Sequence, residues 1–364
     1  MRILLVGDYS NVHATLARGL RSLGHEVCVV SDGDGWKNYP RDIDVKREVG
    51  KGLWSDFKYW LKLRKIWKTL RGYDVVQIIN PVFLPLKAER IWPYYRQLRR
   101  HNKKLVLCAY GMDHYWVKAG LDCKTFRYSD FNIGDRPRLE EGENPQFIAD
   151  WLNGAKGELN RKIAADCDAI VAGLYEYYAS YEKEWGSKLT FIPFPVVPQP
   201  KGNFQPQNKV KFFIGIQKTR SAYKGTDVML KALERVAREY PDTVEVQKAE
   251  SVPFDEYCRM MEGSDVILDQ LYSYTPAMNA LEAMARGLVV VGGGEPENYE
   301  ILKENELRPI INVEPTEESV YQALKWLAEH PESVAQKKND SQTYIEIHHD
   351  YRKVAEKYLL TYAK

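Results

Sequence analysis

Cysteine is scarce in this sequence and never paired by spacing. The five, Cys28, Cys108, Cys123, Cys167 and Cys258, are odd in number and far apart. That excludes a small disulfide framework, supplies no metal-ligand spacing and points to a reducing compartment. Long apolar runs are missing too. No stretch approaches the ~20 apolar residues that cross a bilayer. Met1 to Gly7 carries too short an apolar run for a signal peptide. The expectation is a protein that stays in the cytoplasm. After the first apolar run, Gly7-Asp8-Tyr9-Ser10-Asn11 stands where a Gly-x-Gly-x-x-Gly fingerprint would be, which argues against a nicotinamide cofactor.

Net charge is also small, formally +2, but it is unevenly placed. From Lys51 to Lys104 there are 14 Lys/Arg against three acids, a net +11, so the rest carries −9. One region of the first half should attract anions or an anionic surface.

What is present is an alternating rhythm. Residues 2–6 read as a buried strand, and Val12, Leu16, Leu20 and Leu23 as one helical face ended by Gly24. Residues 25–30 read as the next strand, completing a β-α-β unit. Residues 74–79, 105–108 and 168–172 continue the pattern. Residues 122–144, polar and rich in both charges, read as a long irregular loop near a functional cleft. Five prolines between Pro193 and Pro206 then suit a joint between domains. Beyond it, strands are expected at 211–215, 244–247, 265–268, 288–291 and 309–311, with helices at 227–239, 277–286 and 317–329. With 364 residues and ~100–200 per domain, two α/β domains are expected: 1–197 and 207–340, joined by 198–206. A helix over 344–362, within a tail at 341–364, should pack back on the first domain.

The segment Leu281-Glu-Ala-Met-Ala-Arg-Gly-Leu-Val-Val-Val-Gly-Gly-Gly-Glu-Pro-Glu297 resembles the donor site of GT-B glycosyltransferases, in particular the family-four retaining enzymes. Phe213-Ile-Gly-Ile-Gln-Lys-Thr-Arg-Ser-Ala-Tyr-Lys-Gly225 is similar to that family's first donor-domain strand and the basic residues after it. The Gly7 turn, the run ending Gly24-His-Glu-Val27 and Tyr110-Gly-Met-Asp113 also resemble family segments. The resemblance covers nearly the whole chain and implies two Rossmann-like domains facing across a cleft. Two departures stand out. The family's first acidic residue falls here on Tyr274, and Tyr110 stands where the family often has His.

The resemblance assigns expected roles. Lys224, with Lys218 and Arg220, would hold the donor diphosphate. Tyr274, Thr275, Pro276, Ala277 and Met278 would lead into a helix whose free N–H groups meet phosphate. Glu282 would bind the ribose hydroxyls. By position rather than resemblance, Gly292 to Gly294 would let backbone approach a ligand closely, and Ser251, Val252 and Pro253, where the chain leaves a parallel strand, would hold the base. On the acceptor side, Gly7, Asn11 and His114 would line the cleft, while Asp113 and Tyr110 would orient the reacting groups. Glu295 and Glu297 read as helix-start acids, and the His348-His349-Asp350 trio as a solvated face rather than a metal site.

Between Lys58 and Arg71, Tyr59, Leu63, Ile66, Trp67 and Leu70 fall on one helical face and lysines largely on the other. Such helices read as membrane-surface elements or as helices packed on a sheet. No nucleic-acid motif accompanies the charge. The resulting expectation is transfer of a hexosyl unit from a UDP- or GDP-sugar to a hydroxyl of a glycan or lipid-linked glycan. It includes retention, no obligatory metal and a role in surface polysaccharide assembly, on the inner face of the membrane. A sugar-nucleotide epimerase and a non-catalytic sugar-nucleotide-binding protein share the fold and remain as alternatives.

Overall fold

The computed structural model describes residues 1–35, 37–48, 50, 52–217, 221–252 and 254–364. In chain order its strands are β1 (Arg2–Val6), β2 (Glu26–Ser31), β3 (Ile43–Asp44), β4 (Val75–Ile78) and β5 (Lys104–Ala109). The short β6 (Tyr128–Ser129), β7 (Asn132–Ile133) and β8 (Arg136–Pro137) follow, then β9 (Ala169–Ala172) and β10 (Leu189–Phe191). The second half adds β11 (Val210–Ile216), β12 (Val244–Glu250), β13 (Val266–Asp269), β14 (Val289–Gly292) and β15 (Ile311–Asn312). The first sheet is wholly parallel, in the order β10-β9-β5-β4-β1-β2-β3. The second is parallel too, in the order β12-β11-β13-β14-β15.

Helices cover both faces of such sheets, so their central strands are near-continuous apolar runs. Ile3 to Val6, Leu105 to Ala109 and Val289 to Val291 are all buried. The expected strands therefore form, with ends shifted by up to three residues. Each sheet reverses its strand order once, between β1 and β4 and between β11 and β13. Ligands bind parallel α/β sheets at the strand C-terminal ends beside such reversals.

Three expectations are corrected here. Residues 122–144 are not irregular: β6, β7 and β8 form a small antiparallel sheet. The expected single C-terminal helix is broken. The helix Val334–Tyr344 runs into a wider turn at Ile345–His349, and a new helix starts at Tyr351–Ala363 with the Asp350 carboxylate accepting from Arg352 N–H at 2.8 Å. The break has a local cause. Val196 N–H donates to His349 C=O at 2.7 Å and Tyr351 N–H to Val196 C=O at 3.0 Å, so the two crossings between the halves run side by side as extended chain. The last helix then lies on Val12–Ser22, so close that a Cβ on Gly19 would stand 2.4 Å from Tyr351 O. Lastly, His348 and His349 are buried rather than solvated. His348 pairs with Glu304 at 2.7 Å, and His349 contacts Phe194 C=O at 2.9 Å.

Candidate functional site

A cleft of about 1000 Å³ opens where the strand C-terminal ends of the two sheets face each other. Its lining includes both reversal points: Tyr9, Ser10 and Asn11 after β1, and Gly215 to Gln217 and Asp269 to Gln270 at the ends of β11 and β13.

The second-half wall carries Lys224, Ala277, Met278, Asn279 and Glu282 together. Lys224 ends the short helix Ser221–Lys224 and precedes Gly225, whose φ of +70° suits glycine and whose missing Cβ would strike Leu271 at 2.5 Å. The lysine lies near the buried Asp269 carboxylate. Burial pushes that carboxyl up, while Lys224, Asn279 and the Ala280 N–H pull it back. Asp269 Oδ1 accepts from Asn279 at 3.1 Å, and Oδ2 has no hydrogen-bond partner among the described residues. The helix Met278–Ala285 starts at Ala277 with no side-chain cap. Its first N–H groups have no partner within the helix, a site of positive potential; Ala280 N–H meets Asp269, and Ala277, Met278 and Asn279 line the cleft. One turn on, Glu282 is paired with Arg286 at 3.1 Å and is about one-third exposed. Tyr39 from the first half stands near enough to Glu282 and Cys258 for their charges to raise its phenol above the usual range, after burial and Asp34.

The first-half wall departs from expectation. Asn11 lines the cleft in a left-handed conformation, and its Oδ1 has no partner among the described residues. Gly7 does not line it; its missing Cβ leaves room for Ile79. Asp113 is fully buried outside the cleft lining. It caps the helix His114–Leu121, accepting from Trp116 N–H at 2.8 Å and Tyr181 OH at 2.6 Å. Burial raises it to about 6 against those bonds. His114 is buried beside it, with Nδ1 2.8 Å from Trp151 C=O. Tyr110 reaches the cleft wall, but its hydroxyl is bonded to the Tyr358 hydroxyl of the last helix. None of these three offers its polar group to a ligand as expected. Lys37, Asp130 and Trp116 line the wall instead. Lys37 pairs with Asp34 at 2.6 Å, and Asp34 in turn accepts from Ser10 N–H at 2.9 Å.

Tyr274, Thr275 and Pro276 also lie outside the lining. Tyr274 is buried against Phe126, Tyr128 and Tyr175, accepts from Arg127 N–H at 2.7 Å and carries the Arg127 guanidinium over its ring at 4.8 Å. The N–H of Thr275 is not free for phosphate. It donates to Glu176 at 3.1 Å, as Tyr274 N–H does at 2.6 Å and Ser273 Oγ–H at 2.9 Å, while the Thr275 hydroxyl bonds the other oxygen. Glu176 starts the helix Tyr175–Trp185 in the first half, so this carboxylate ties the halves together. The small sheet adds to the tie. Arg127 bonds Glu295 and Glu297, Tyr128 bonds Glu295, and Tyr223 OH donates to Asp130 at 2.6 Å. Glu295 and Glu297 thus hold the halves together rather than serve only the helix dipole.

Gly292, Gly293 and Gly294 do not line the cleft either. A Cβ on Gly292 would lie 2.1 Å from Asp269 O, and one on Gly293 2.3 Å from Ser273 O, so these glycines permit close backbone packing behind the wall. Ser251 and Val252 line the cleft beside Tyr257 and Cys258. Lys218, Arg220 and Pro253 lie outside the described residues. Among those described, no group of three His, Cys, Asp or Glu could hold a metal ion, and no helix is long and apolar enough to cross a membrane.

Sequence reasoning missed Glu176, Asp269, Asn279 and Asp130. Glu176, Asp269 and Asn279 have only a positional signal, at the end of an apolar strand or at a helix start, and Asp130 lies in the turn between the short strands β6 and β7.

Two parallel, doubly wound sheets facing across a cleft are the GT-B glycosyltransferase architecture. The sequence model of Glycosyltransferase Family 4 matches residues 10–199, just over half of the chain, and the chain belongs to that family. The match falls on the first half, although the resemblance read from the sequence rested most on residues 281–297. No curated protein matches the sequence. Among solved structures, sucrose-phosphate synthase from Thermosynechococcus elongatus is similar in fold, at 12% identity and TM-score 0.62 over 100% of this chain and 98% of that one. The catalytic domain of starch synthase IV from Arabidopsis thaliana, bound to ADP and acarbose, gives 12%, 0.61, 100% and 99%. Anabaena HepE in complex with UDP and glucose gives 11%, 0.60, 100% and 100%.

Proposed function

We propose that this glycosyltransferase moves a hexosyl unit from a UDP- or GDP-sugar to a hydroxyl of a glycan or lipid-linked glycan, with retention, in surface polysaccharide assembly. The domains are read as 1–197 for the acceptor and 207–340 for the donor. The observation that carries the reading is the single wall holding Lys224, the uncapped start of Met278–Ala285 and Glu282. Cleaving the anomeric bond leaves negative charge on the departing diphosphate. A lysine and a helix N-terminus offset that charge where it develops. Glu282, one turn along, accepts from ribose hydroxyls. The leaving phosphate takes the acceptor proton on the same face, and no metal is obligatory. The acceptor sits on a membrane-borne carrier, with the enzyme peripheral to that membrane.

A second reading is nucleotide-sugar binding without transfer. It rests on Tyr274, which replaces the family's sugar-side acid and is turned into an aromatic cluster.

A thermal-shift screen of wild type, Lys224→Ala and Glu282→Ala against UDP, GDP, CMP and their sugar conjugates tests the donor site. Ligand at 100 times its Kd stabilises by about 2.7 kcal/mol. A shift with one nucleotide, lost in both variants, supports the site; no shift with any overturns it. Release of free nucleotide from the conjugate, with and without a glycan acceptor, separates transfer from binding alone.

A further inference from the structure

The helix Leu53–Trp67 has two apolar faces. The face that the sequence reading singled out is not available to a membrane: Tyr59, Leu63, Trp67 and Leu70 are buried in the first half, and Ile66 packs partly against them. Tyr59 OH donates to Val45 C=O at 2.8 Å and Trp67 Nε1–H to Tyr94 C=O at 3.1 Å, so this face is fixed.

The other face was not expected. Leu53, Trp54, Phe57, Trp60 and Leu61 are between 43% and 89% exposed. Their spacing, i, i+1, i+4, i+7 and i+8, makes one continuous stripe. The three rings stack in series, Trp54 on Phe57 and Phe57 on Trp60, each at 5.8 Å. An exposed apolar stripe of this kind marks a contact surface.

Charge says what that contact is. Lys58 lies over Trp54 at 5.8 Å and Arg64 over Trp60 at 5.2 Å. Lys65 is exposed on the same helix and Lys68 just past its end. Its one acid, Asp56, is bonded to Arg47. A second copy docking here through a two-fold interface would bring the same cations together. An anionic surface is attracted to them, and Trp is favoured at the level of lipid headgroups.

We infer that the helix Leu53–Trp67 docks the enzyme on an anionic phospholipid bilayer. Leu53, Trp54, Phe57, Trp60 and Leu61 enter the headgroup region, and Lys58, Arg64, Lys65 and Lys68 meet the phosphates. The helix lies in the membrane plane and does not span it. The inference deepens the proposed function by naming the surface that meets the carrier membrane, and it rests on that reading only for its purpose.

The test is co-sedimentation of the full chain with phosphatidylcholine vesicles and with vesicles that also contain phosphatidylglycerol. It compares wild type, Trp54→Ser/Phe57→Ser/Trp60→Ser and Lys58→Gln/Arg64→Gln/Lys65→Gln. Wild type should bind the anionic vesicles, less so as salt rises. The charge variant should bind on the order of a hundredfold more weakly, and the aromatic variant should lose binding. Because the altered residues are exposed, melting temperatures and nucleotide-induced shifts should match wild type, which separates this result from any failure of the donor site. Absence of wild-type binding to anionic vesicles, or equal binding by all three proteins, overturns the inference. So does a concentration-dependent dimer in light scattering that the aromatic variant abolishes, since the stripe would then be a protein interface.

Discussion

Glu176 and Thr275 meet across the boundary between the two halves. The carboxylate accepts from the Thr275 backbone N–H at 3.1 Å and from its hydroxyl, and it also takes Tyr274 N–H and Ser273 Oγ–H. Burial pushes this carboxyl up, and the hydrogen bonds from the Thr275 hydroxyl, Tyr274 N–H and Ser273 pull it back only in part. A buried acceptor that takes several donors at once is costly to remove, because those donors lose their partner.

Glu176→Ala should therefore leave three donors without an acceptor, since the Ser273 hydroxyl can still donate to Thr275 C=O at 2.7 Å, and cost roughly 3–5 kcal/mol. At ~2–4 °C per kcal/mol for a domain of this size, the melting temperature should fall by about 10 °C. Small-angle scattering should show a larger radius as the halves separate. Glu176→Gln should do much less, because the Thr275 hydroxyl can turn to accept from the new amide. An alanine variant with wild-type melting and radius would show that the tie does not hold the halves.

Tyr274→Phe separates two roles for that residue. The hydroxyl accepts from Arg127 N–H at 2.7 Å and does not face the cleft. Removing it should cost about 1–3 kcal/mol, the penalty of an unpaired N–H. Nucleotide-sugar affinity, measured by calorimetry, should not change. A tenfold loss of affinity without loss of stability would return Tyr274 to the sugar pocket.

Much of the fold was legible because it is local. Strands buried on both faces are apolar runs, and the first strands of each half stood out for that reason. The donor wall was legible in part, since Lys224 and Glu282 lie within two segments that resemble the family and Ala277 and Met278 lead directly into the second. The acceptor side was not. Asp113 followed by Trp116 at the start of a helix is the pattern of a cap, and the cap is what forms. The tie between the halves was hidden because Glu176 and Thr275 are 99 residues apart, and nothing near either residue signals the other. The exposed stripe of Leu53–Trp67 was hidden for another reason. Both faces of the helix are apolar, and periodicity alone does not say which of two faces packs.

Glu282 offers a change in binding without a change in fold. Its only described side-chain partner is Arg286, four residues on, at a site about one-third exposed. Such pairs contribute a few tenths of a kcal/mol. Glu282→Ala should leave the melting temperature of the free protein within about a degree. A carboxylate that accepts from ribose hydroxyls is worth about 1.5–3 kcal/mol, so the Kd for the nucleotide should rise roughly 10- to 150-fold. Equal affinities for wild type and variant, by calorimetry, would remove Glu282 from the donor site.

The two residues that flank the first loop make opposing demands on pH. His13 is buried, with Nδ1 2.6 Å from Gly7 C=O and Nε2 3.1 Å from the Gln77 amide nitrogen. Both ring nitrogens are occupied by a neutral ring, and burial lowers its pKa from 6.5 to about 4. Asp8 is buried next to it, accepting from His13 N–H at 2.9 Å and Ala14 N–H at 3.1 Å, and burial raises its pKa from 3.8 to about 7. Between pH 6.5 and 4 the unfolded chain binds a proton at His13 that the native state refuses, so stability falls on acidification. Over nearly the same window the native state holds a proton at Asp8 that the unfolded chain releases, so stability rises on acidification. The His13 effect reaches about 3 kcal/mol and the Asp8 effect about 4 kcal/mol at one pKa unit per 1.36 kcal/mol, and in the wild type they cancel in large part. His13→Gln should remove the first alone, so that its stability relative to wild type improves as pH falls from 6.5 to 4. Asp8→Asn should remove the second, and its relative stability should worsen over that range. Chemical denaturation of the three proteins at intervals from pH 7 to 4 gives the differences directly, with every other titrating group common to all three. Parallel curves would mean that neither proton is held as this buried pair requires.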